Sequence, residues 1–512
     1  MTRWGFVGVG VCALLVLTTG CQEECVAQGD CRNKEGDPGA GQEWVCVDNR
    51  CERRQVTSPG QDAGTEADGG MEPDAGMDGG MEPDGGMEPD GGMETDAGTD
   101  GGMELDAGMD AGMNVDQGGA CMDSSNCMAG LRCEQSGDTK KCEPLHVAVT
   151  TGLSDGGTEA VAVRYNVTAS APFELSETAG MSRYPRWSAN GNAVAFVEEQ
   201  TAGSPVLVRR DVPLATGQKQ VLATGSAEKT RDFRHLEWEP SSWLAWTQVA
   251  PNGSVSGISV VDGTSGNVQA RTNKGGYPAW SPDGQSFVYS IKTEGLKVHP
   301  LTGTETVALA DFEAEQGLYN KATTWLLYLD NDAVEEDIAG SAVPLMKLKA
   351  VPAGGGTAKL IADVSTQAIT GGALKSYIAN HAWSPAGTHA AYVRVYYFKP
   401  TVGSGILCGN QGALCPQGQA ANVIFVQRID PATGEAQGAA MELVAEATLP
   451  SFSPDGHFIA YLSGGKLVIQ RIDPEATDAS LLKVNGGFFR HDLSGPMRSN
   501  MGDDHRPRWQ PR

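Results

Sequence analysis

The stretch Tyr277-Pro278-Ala279-Trp280-Ser281-Pro282-Asp283-Gly284-Gln285-Ser286-Phe287-Val288-Tyr289 reads as a short strand, a tight turn and a second strand. Pro282 presets φ for a turn, Asp283 can bond its own backbone, and Gly284 accepts a positive φ. Phe287, Val288 and Tyr289 are strong strand formers. The pattern recurs in Tyr184-Pro185-Arg186-Trp187-Ser188-Ala189-Asn190-Gly191, His381-Ala382-Trp383-Ser384-Pro385-Ala386-Gly387 and Leu449-Pro450-Ser451-Phe452-Ser453-Pro454-Asp455-Gly456. Each copy runs into another apolar strand. Recurrence at a spacing of roughly 40 to 70 residues is the signature of an all-β propeller array.

Working outward, each repeat divides into four strands, as in 277–280, 287–291, 296–300 and 306–310. In the last full repeat, 466–472 and 481–484 supply the third and fourth strands. Two degenerate repeats run through Trp238 with Trp243-Leu244-Ala245-Trp246, and through Thr324-Trp325-Leu326-Leu327-Tyr328. The final copy, His505-Arg506-Pro507-Arg508-Trp509-Gln510-Pro511, is a first strand with nothing after it. At the other end, 146–150, 160–166 and 173–176 are strands with no first strand before them. One blade is therefore expected to combine the two fragments, which closes the ring and removes exposed edges. The count comes to seven blades, with six as the alternative if the repeat near Trp325 merges with a neighbour.

These W-S-P-D-G repeats resemble the PD40, or TolB-like, family of WD40-related propellers over nearly all of residues 145–512. The resemblance implies a periplasmic or surface scaffold and binding platform, with some members fused to hydrolase domains. Fold alone does not give function.

The chain of 512 residues carries a formal charge of −26, much of it between Asp62 and Asp116, where there is no Lys or Arg. That balance excludes a nucleic-acid partner, whose phosphates need a basic footprint. Residues 56–118 repeat Gly-Gly-Met-Glu-Pro-Asp; Gly, Pro, like charge and the lack of aromatic residues read as a disordered acidic linker. Its methionines are potential Cu(I) ligands and its carboxylates attract cations diffusely. It carries no D-x-D-x-D-G loop, so the reading is a spacer, with no cofactor and no metal site.

Residues 1–20 have the form of an export signal: Arg3, then an apolar run from Val7 to Leu17 too short to span a bilayer. The run ends in Leu17-Thr18-Thr19-Gly20-Cys21, which resembles the lipobox of bacterial lipoproteins. The resemblance implies cleavage before Cys21, its lipidation and, with Gln22 following, an outer-membrane location, facing the periplasm or the surface. An ordinary secretory signal is the alternative. The remaining cysteines after the signal fall into even groups: Cys25, Cys31, Cys46 and Cys51 in segment 21–55; Cys121, Cys127, Cys133 and Cys142 in module 119–144; and the pair Cys408 and Cys415. Even groups in an exported chain read as disulfides, with three connectivities open in each group of four. A Cys₄ zinc site is the competing reading, disfavoured by the lack of any C-x-x-C.

No nucleophile elbow, H-E-x-x-H or P-loop is present, so no catalytic residue is assigned. His235, His381 and His505 fall just before the repeat aromatic, on strands expected to line the channel. With Arg183, Arg234, Asp504 and Arg506 they form a candidate binding rim; the alternative is a set of channel residues satisfied by solvent and backbone. The insertion from Tyr397 to Val423, pinned by Cys408 and Cys415, is either a recognition loop or a tolerated surface insertion. The expectation is a lipid-anchored envelope protein that is not an enzyme, whose propeller binds a protein, peptide or glycan. The rival is a channel enzyme, a lyase or hydrolase.

Overall fold

The structure, a computed structural model, describes residues 42–47, 50–55, 115–128, 131–136, 138–151, 160–164, 173–176, 182–198, 204–212, 219–225, 233–238, 242–249, 255–311, 313–331, 334–409, 415–416, 419–491 and 505–511. Two compact units divide the chain, Met1–Asp106 and Ala107–Arg512. In the first, the described residues form one hairpin, Gln42–Val47 with Arg50–Gln55, whose register sets Cys46 opposite Cys51. The signal, Cys21, Cys25, Cys31 and nearly all of the linker lie outside the described residues.

The second unit is the all-β propeller expected from the repeats. Its turns show why the motif folds as it does. Ser281 Oγ donates to Asp283 Oδ1 at 2.6 Å and accepts from the Ser286 amide at 3.1 Å, while the Gln285 amide donates to Asp283 Oδ1 at 3.0 Å. Asp283 is held below the usual carboxylate range, chiefly by the Ser281 hydroxyl and then by the Gln285 amide. Gly284 sits at φ +64°, a left-handed conformation that only glycine adopts without strain. Ser188 with Asn190, and Ser453 with Asp455, repeat this clamp. Ser384 still accepts from the His389 amide although Ala386 replaces the Asp.

Six sheets are plain four-stranded blades. Their inner strands are Ser182–Trp187, Arg234–Trp238, Gly276–Trp280, Ala314–Tyr319, Ala447–Phe452 and Arg508–Trp509. A larger, six-stranded sheet is built on the inner strand Gly372–Trp383 and stands between the Ala314 and Ala447 blades. Neighbouring inner strands touch in this order all the way round. The repeat near Trp325 does not merge with a neighbour: it has its own blade, Ala314–Tyr319, Trp325–Asp330, Lys347–Pro352 and Lys359–Ala362.

Closure follows the split-blade expectation. Arg508 pairs with Ala148 and Trp509 with Val147, and the sheet continues through Ala160–Arg164 to Phe173–Glu174. Trp509 is buried with Leu145, Val147, Leu449, Phe458 and Leu467, at the junction of the closing blade with the one before it. In the Ala447 blade the strand expected at 481–484 is corrected. Asp478 accepts from the Ser480 amide at 2.9 Å and caps a helical turn, Ala479–Leu482, before the outer strand Lys483–His491 begins.

The module ahead of the propeller is cross-linked Cys121 to Cys133 and Cys127 to Cys142, and it packs directly on the closing seam. The buried Arg471 guanidinium donates to the carbonyls of Cys127 (3.3 Å) and Ser124 (3.2 Å). Arg132, also buried, donates to the carbonyl of Gln510 at 2.9 Å.

The enlarged sheet carries the insertion. Its strands Gly372–Trp383 and His389–Pro400 are 12 residues each, against 5 residues for Gly276–Trp280, so Tyr397–Pro400 continue a strand rather than open a loop. Beyond them Ile406–Leu407 pairs back on Tyr397 and Phe398, and Cys408 is bonded to Cys415. A hairpin from the preceding blade, Glu335–Ile338 with Ser341–Pro344, meets this outgrowth. Gly405 exchanges backbone bonds with Asp337 and Ala339, and Tyr397 Oη donates to Glu336 at 2.7 Å.

Candidate functional site: the channel mouth

The inner strands share a feature that the sequence pattern did not disclose. Tyr184, His235, Tyr277, Gln316, Asn380 and Leu449 have φ between +37° and +62°, and each lies three residues before the repeat aromatic. Each falls in a register shift between the first and second strands. Such bulges bend a strand and re-aim its side chains. Non-glycine residues there cost on the order of 1–3 kcal/mol each. Pro185, Pro278 and Pro450 directly after three of them are the nearest thing to a sequence signal.

The bulge sends the rim candidates to different places. His235 lies within it, stacked on Tyr277 of the next blade at 3.8 Å, with its Nδ1 3.1 Å from Thr247 Oγ1. His505 packs against Tyr184 at 5.2 Å, and Arg183 lies 5.9 Å over the same ring. His381 is buried and its carbonyl accepts from Arg506 at 2.6 Å. Arg234 is half-buried at the start of its strand. Asp504 lies outside the described residues. His235 and His381 lie on different inner strands and His505 precedes a third. Among the described residues, the one cluster of potential metal ligands is Cys121, Cys127 and Cys142. Their sulfurs are committed to disulfides, so the zinc reading of that group is set aside in favour of the disulfide one.

A cavity of about 480 Å³ opens where the inner strands end in the repeat aromatics. Its wall alternates aromatic edges (Trp238, Trp280, Tyr319, Trp383, Trp509) with turn prolines (Pro282, Pro385, Pro454). Its charged groups are Arg506, Arg508, Lys321 and Glu237. Of the described residues of the rim expected from sequence, only Arg506 borders it. Of the residues that were missed, Glu237 and Arg508 stand one place before the aromatic, on the blades either side of the Ser182–Trp187 blade, and Lys321 stands two places after Tyr319. Glu237 Oε1 accepts from Arg508 at 3.1 Å and lies 3.5 Å from the Arg186 guanidinium. Burial pushes the Tyr319 phenol up, with Asp283 adding to the effect and a bond with Ser286 opposing it.

The aromatics themselves do more than fill space. Trp187 Nε1 donates to the Arg508 carbonyl at 2.9 Å, Trp280 to Glu237 at 3.2 Å, Trp383 to Leu318 at 3.1 Å and Trp509 to Ser451 at 3.0 Å. In each case the acceptor is the residue just before the aromatic position of the preceding blade. The mouth is therefore a preformed, cross-bonded ring.

No family model and no curated protein matches this chain. Solved structures resemble it at low identity. TolB from Acinetobacter baumannii is 14% identical over 72% of this chain and 67% of its own, with a TM-score of 0.37. An oligogalacturonate lyase in complex with manganese is 15% identical over 70% and 88%, at 0.41. The Swd1 β-propeller domain of Myceliophteria thermophila is 12% identical over 63% and 89%, at 0.38.

Proposed function

We propose that this chain is an envelope-anchored binding platform whose channel mouth holds an acidic segment of a protein or peptide partner. One observation carries the reading. On a chain whose −26 lies mostly in 62–116, leaving residues 145–512 at −6, the mouth gathers Arg506, Arg508 and Lys321 against the one lining carboxylate, Glu237. A concave, low-dielectric site of sign opposite to the rest of the molecule focuses its field on an incoming anion. The aromatic and proline edges beside the cations supply apolar surface for the backbone and stems of a peptide. The interblade indole bonds hold this surface rigid, which limits the ordering cost of association. Anchoring through Cys21 and an outer-membrane location are part of the proposal and rest on the lipobox resemblance and the disulfide framework.

The test is fluorescence anisotropy of the full-length protein with a labelled Glu/Asp-rich peptide. Saturable binding is expected, weakened by Lys321→Glu and Arg506→Gln and by raising salt, which screens charges beyond roughly 8–10 Å. If a Lys-rich peptide binds as well, or both variants leave the affinity unchanged, the mouth is not an acidic-segment site.

A further inference from the structure

A second cleft lies away from the channel mouth and shares no lining residue with it. It opens between the outer strand Gln220–Thr224 and the face of the next blade, with a volume of about 470 Å³. That size falls within the ~300–1,000 Å³ of small-molecule sites. Register explains its chemistry. Trp246 stands opposite Ser259, and Ser259 opposite Arg271, so the three side chains form one row across adjacent strands. Cross-strand neighbours are roughly 5 Å apart. Trp246 and Phe233, with ring centroids 5.4 Å apart, make the aromatic floor, and Gln248 adds an amide. One end is tight. Gly266 has φ +73°, and a Cβ there would come within 2.6 Å of the Leu222 carbonyl oxygen.

One group in this row is buried without a partner among the described residues, and one is an exposed cation without an ion pair among them. The Ser259 hydroxyl is 1% exposed and has no hydrogen-bond partner among the described residues. A buried polar group in that state costs about 1–3 kcal/mol. Arg271 is exposed at the rim with no ion pair among the described residues, in a chain with 64 acidic residues to 38 Lys and Arg.

We propose that this cleft binds a small hydroxycarboxylate. The guanidinium of Arg271 matches a carboxylate in a two-bond fork. Ser259 and Gln248 supply a donor and acceptors for a hydroxyl, and the aromatic floor takes the carbon skeleton. Among the described lining residues Arg271 is the one cation, which suits a monoanion rather than a phosphate. The volume suits one small molecule and not a polypeptide strand.

The probes are gluconate, glycerate and lactate, titrated into the full-length protein by calorimetry, with glucose as the neutral counterpart of gluconate. At least one of the acids is expected to bind saturably. Arg271→Gln should weaken it about tenfold or more, as expected for loss of a charge-assisted bond. Ser259→Ala should weaken it severalfold while leaving the melting temperature unchanged or raised. Because Arg271 is exposed, Arg271→Gln provides a test that does not depend on refolding a buried site. Saturation by none of the three acids below about 10 mM, equal binding of glucose and gluconate, or indifference to Arg271→Gln would each overturn the proposal.

Discussion

At the scale of single residues, burial decides more than residue type. His389 illustrates this. Its imidazole is buried beside Arg428, and burial first, then the Arg428 charge, lowers its pKa to about 4, while Asp473 opposes the shift. Its Nδ1 lies 2.9 Å from Thr388 Oγ1. The folded protein therefore holds this ring neutral, whereas the unfolded chain takes a proton near pH 6.5. Between those two pKa values the unfolded state binds more protons, so the stability contribution is full above about pH 6.5 and is lost as pH falls towards 4. At about 1.4 kcal/mol per unit, the loss is on the order of 3 kcal/mol. The expected outcome is a melting temperature that falls between pH 7 and pH 4.5, and a smaller fall in His389→Gln. An equal pH dependence in the two proteins would show that the ring does not titrate in this way. The indoles make the same point. Their N–H bonds to the preceding blade depend on a backbone carbonyl far away in the chain, as with Trp187 and Arg508.

At the scale of elements, the shortest strand has the largest consequence. Arg508–Trp509 is two residues long and lies near the chain end, where residues are usually dispensable. Yet it is the inner strand of the closing blade, and Gln510 beyond it links three elements. Its amide donates to the His146 carbonyl, its side chain to Gly191, and its carbonyl accepts from Arg132 of the disulfide-bonded module. Deleting residues 503–512 removes this strand and the Trp509 side chain. Loss of a buried Trp costs about 3–5 kcal/mol, a large part of the ~5–15 kcal/mol that holds a domain folded. The truncated chain is expected to melt well below the full chain and with lower cooperativity, with Trp509→Ala falling between them. Superimposable melts would mean that the ring is closed without this strand. The repeat motif made this element legible because half a motif has no strands of its own to pair with. The helical turn at Ala479–Leu482 was not legible, since its apolar residues fit strand and helix equally and one Asp478 cap decides between them.

At the scale of the whole molecule, the proposed anchoring rests on the resemblance of Thr19-Gly20-Cys21 to a lipobox. Cys21→Ala is expected to move the protein from the membrane pellet to the soluble fraction, because the proposal makes lipid on Cys21 the anchor. Among the described residues, no helix is long and apolar enough to cross a membrane. Retention of the Cys21→Ala protein in membranes would remove lipidation as the anchor.

The sequence by itself determined the all-β class, the repeating blade and the split closing blade. The physical reason is that these are encoded locally. Ser, Asp or Asn, and Gly at fixed offsets bond one another within five residues, as Ser281 and Asp283 do, and so act the same way in every copy. Tertiary structure alone decided which charges share a mouth and which side chains share a cleft. Arg506, Lys321 and Glu237 are separated by most of the propeller sequence and meet only because the ring closes. The left-handed bulge before six of the aromatics bends those strands and re-aims their side chains, and His381, next to one such residue, is buried. In the same way, Ser259 becomes a candidate ligand group only because strand register sets it between Trp246 and Arg271, beneath the outer strand of another blade.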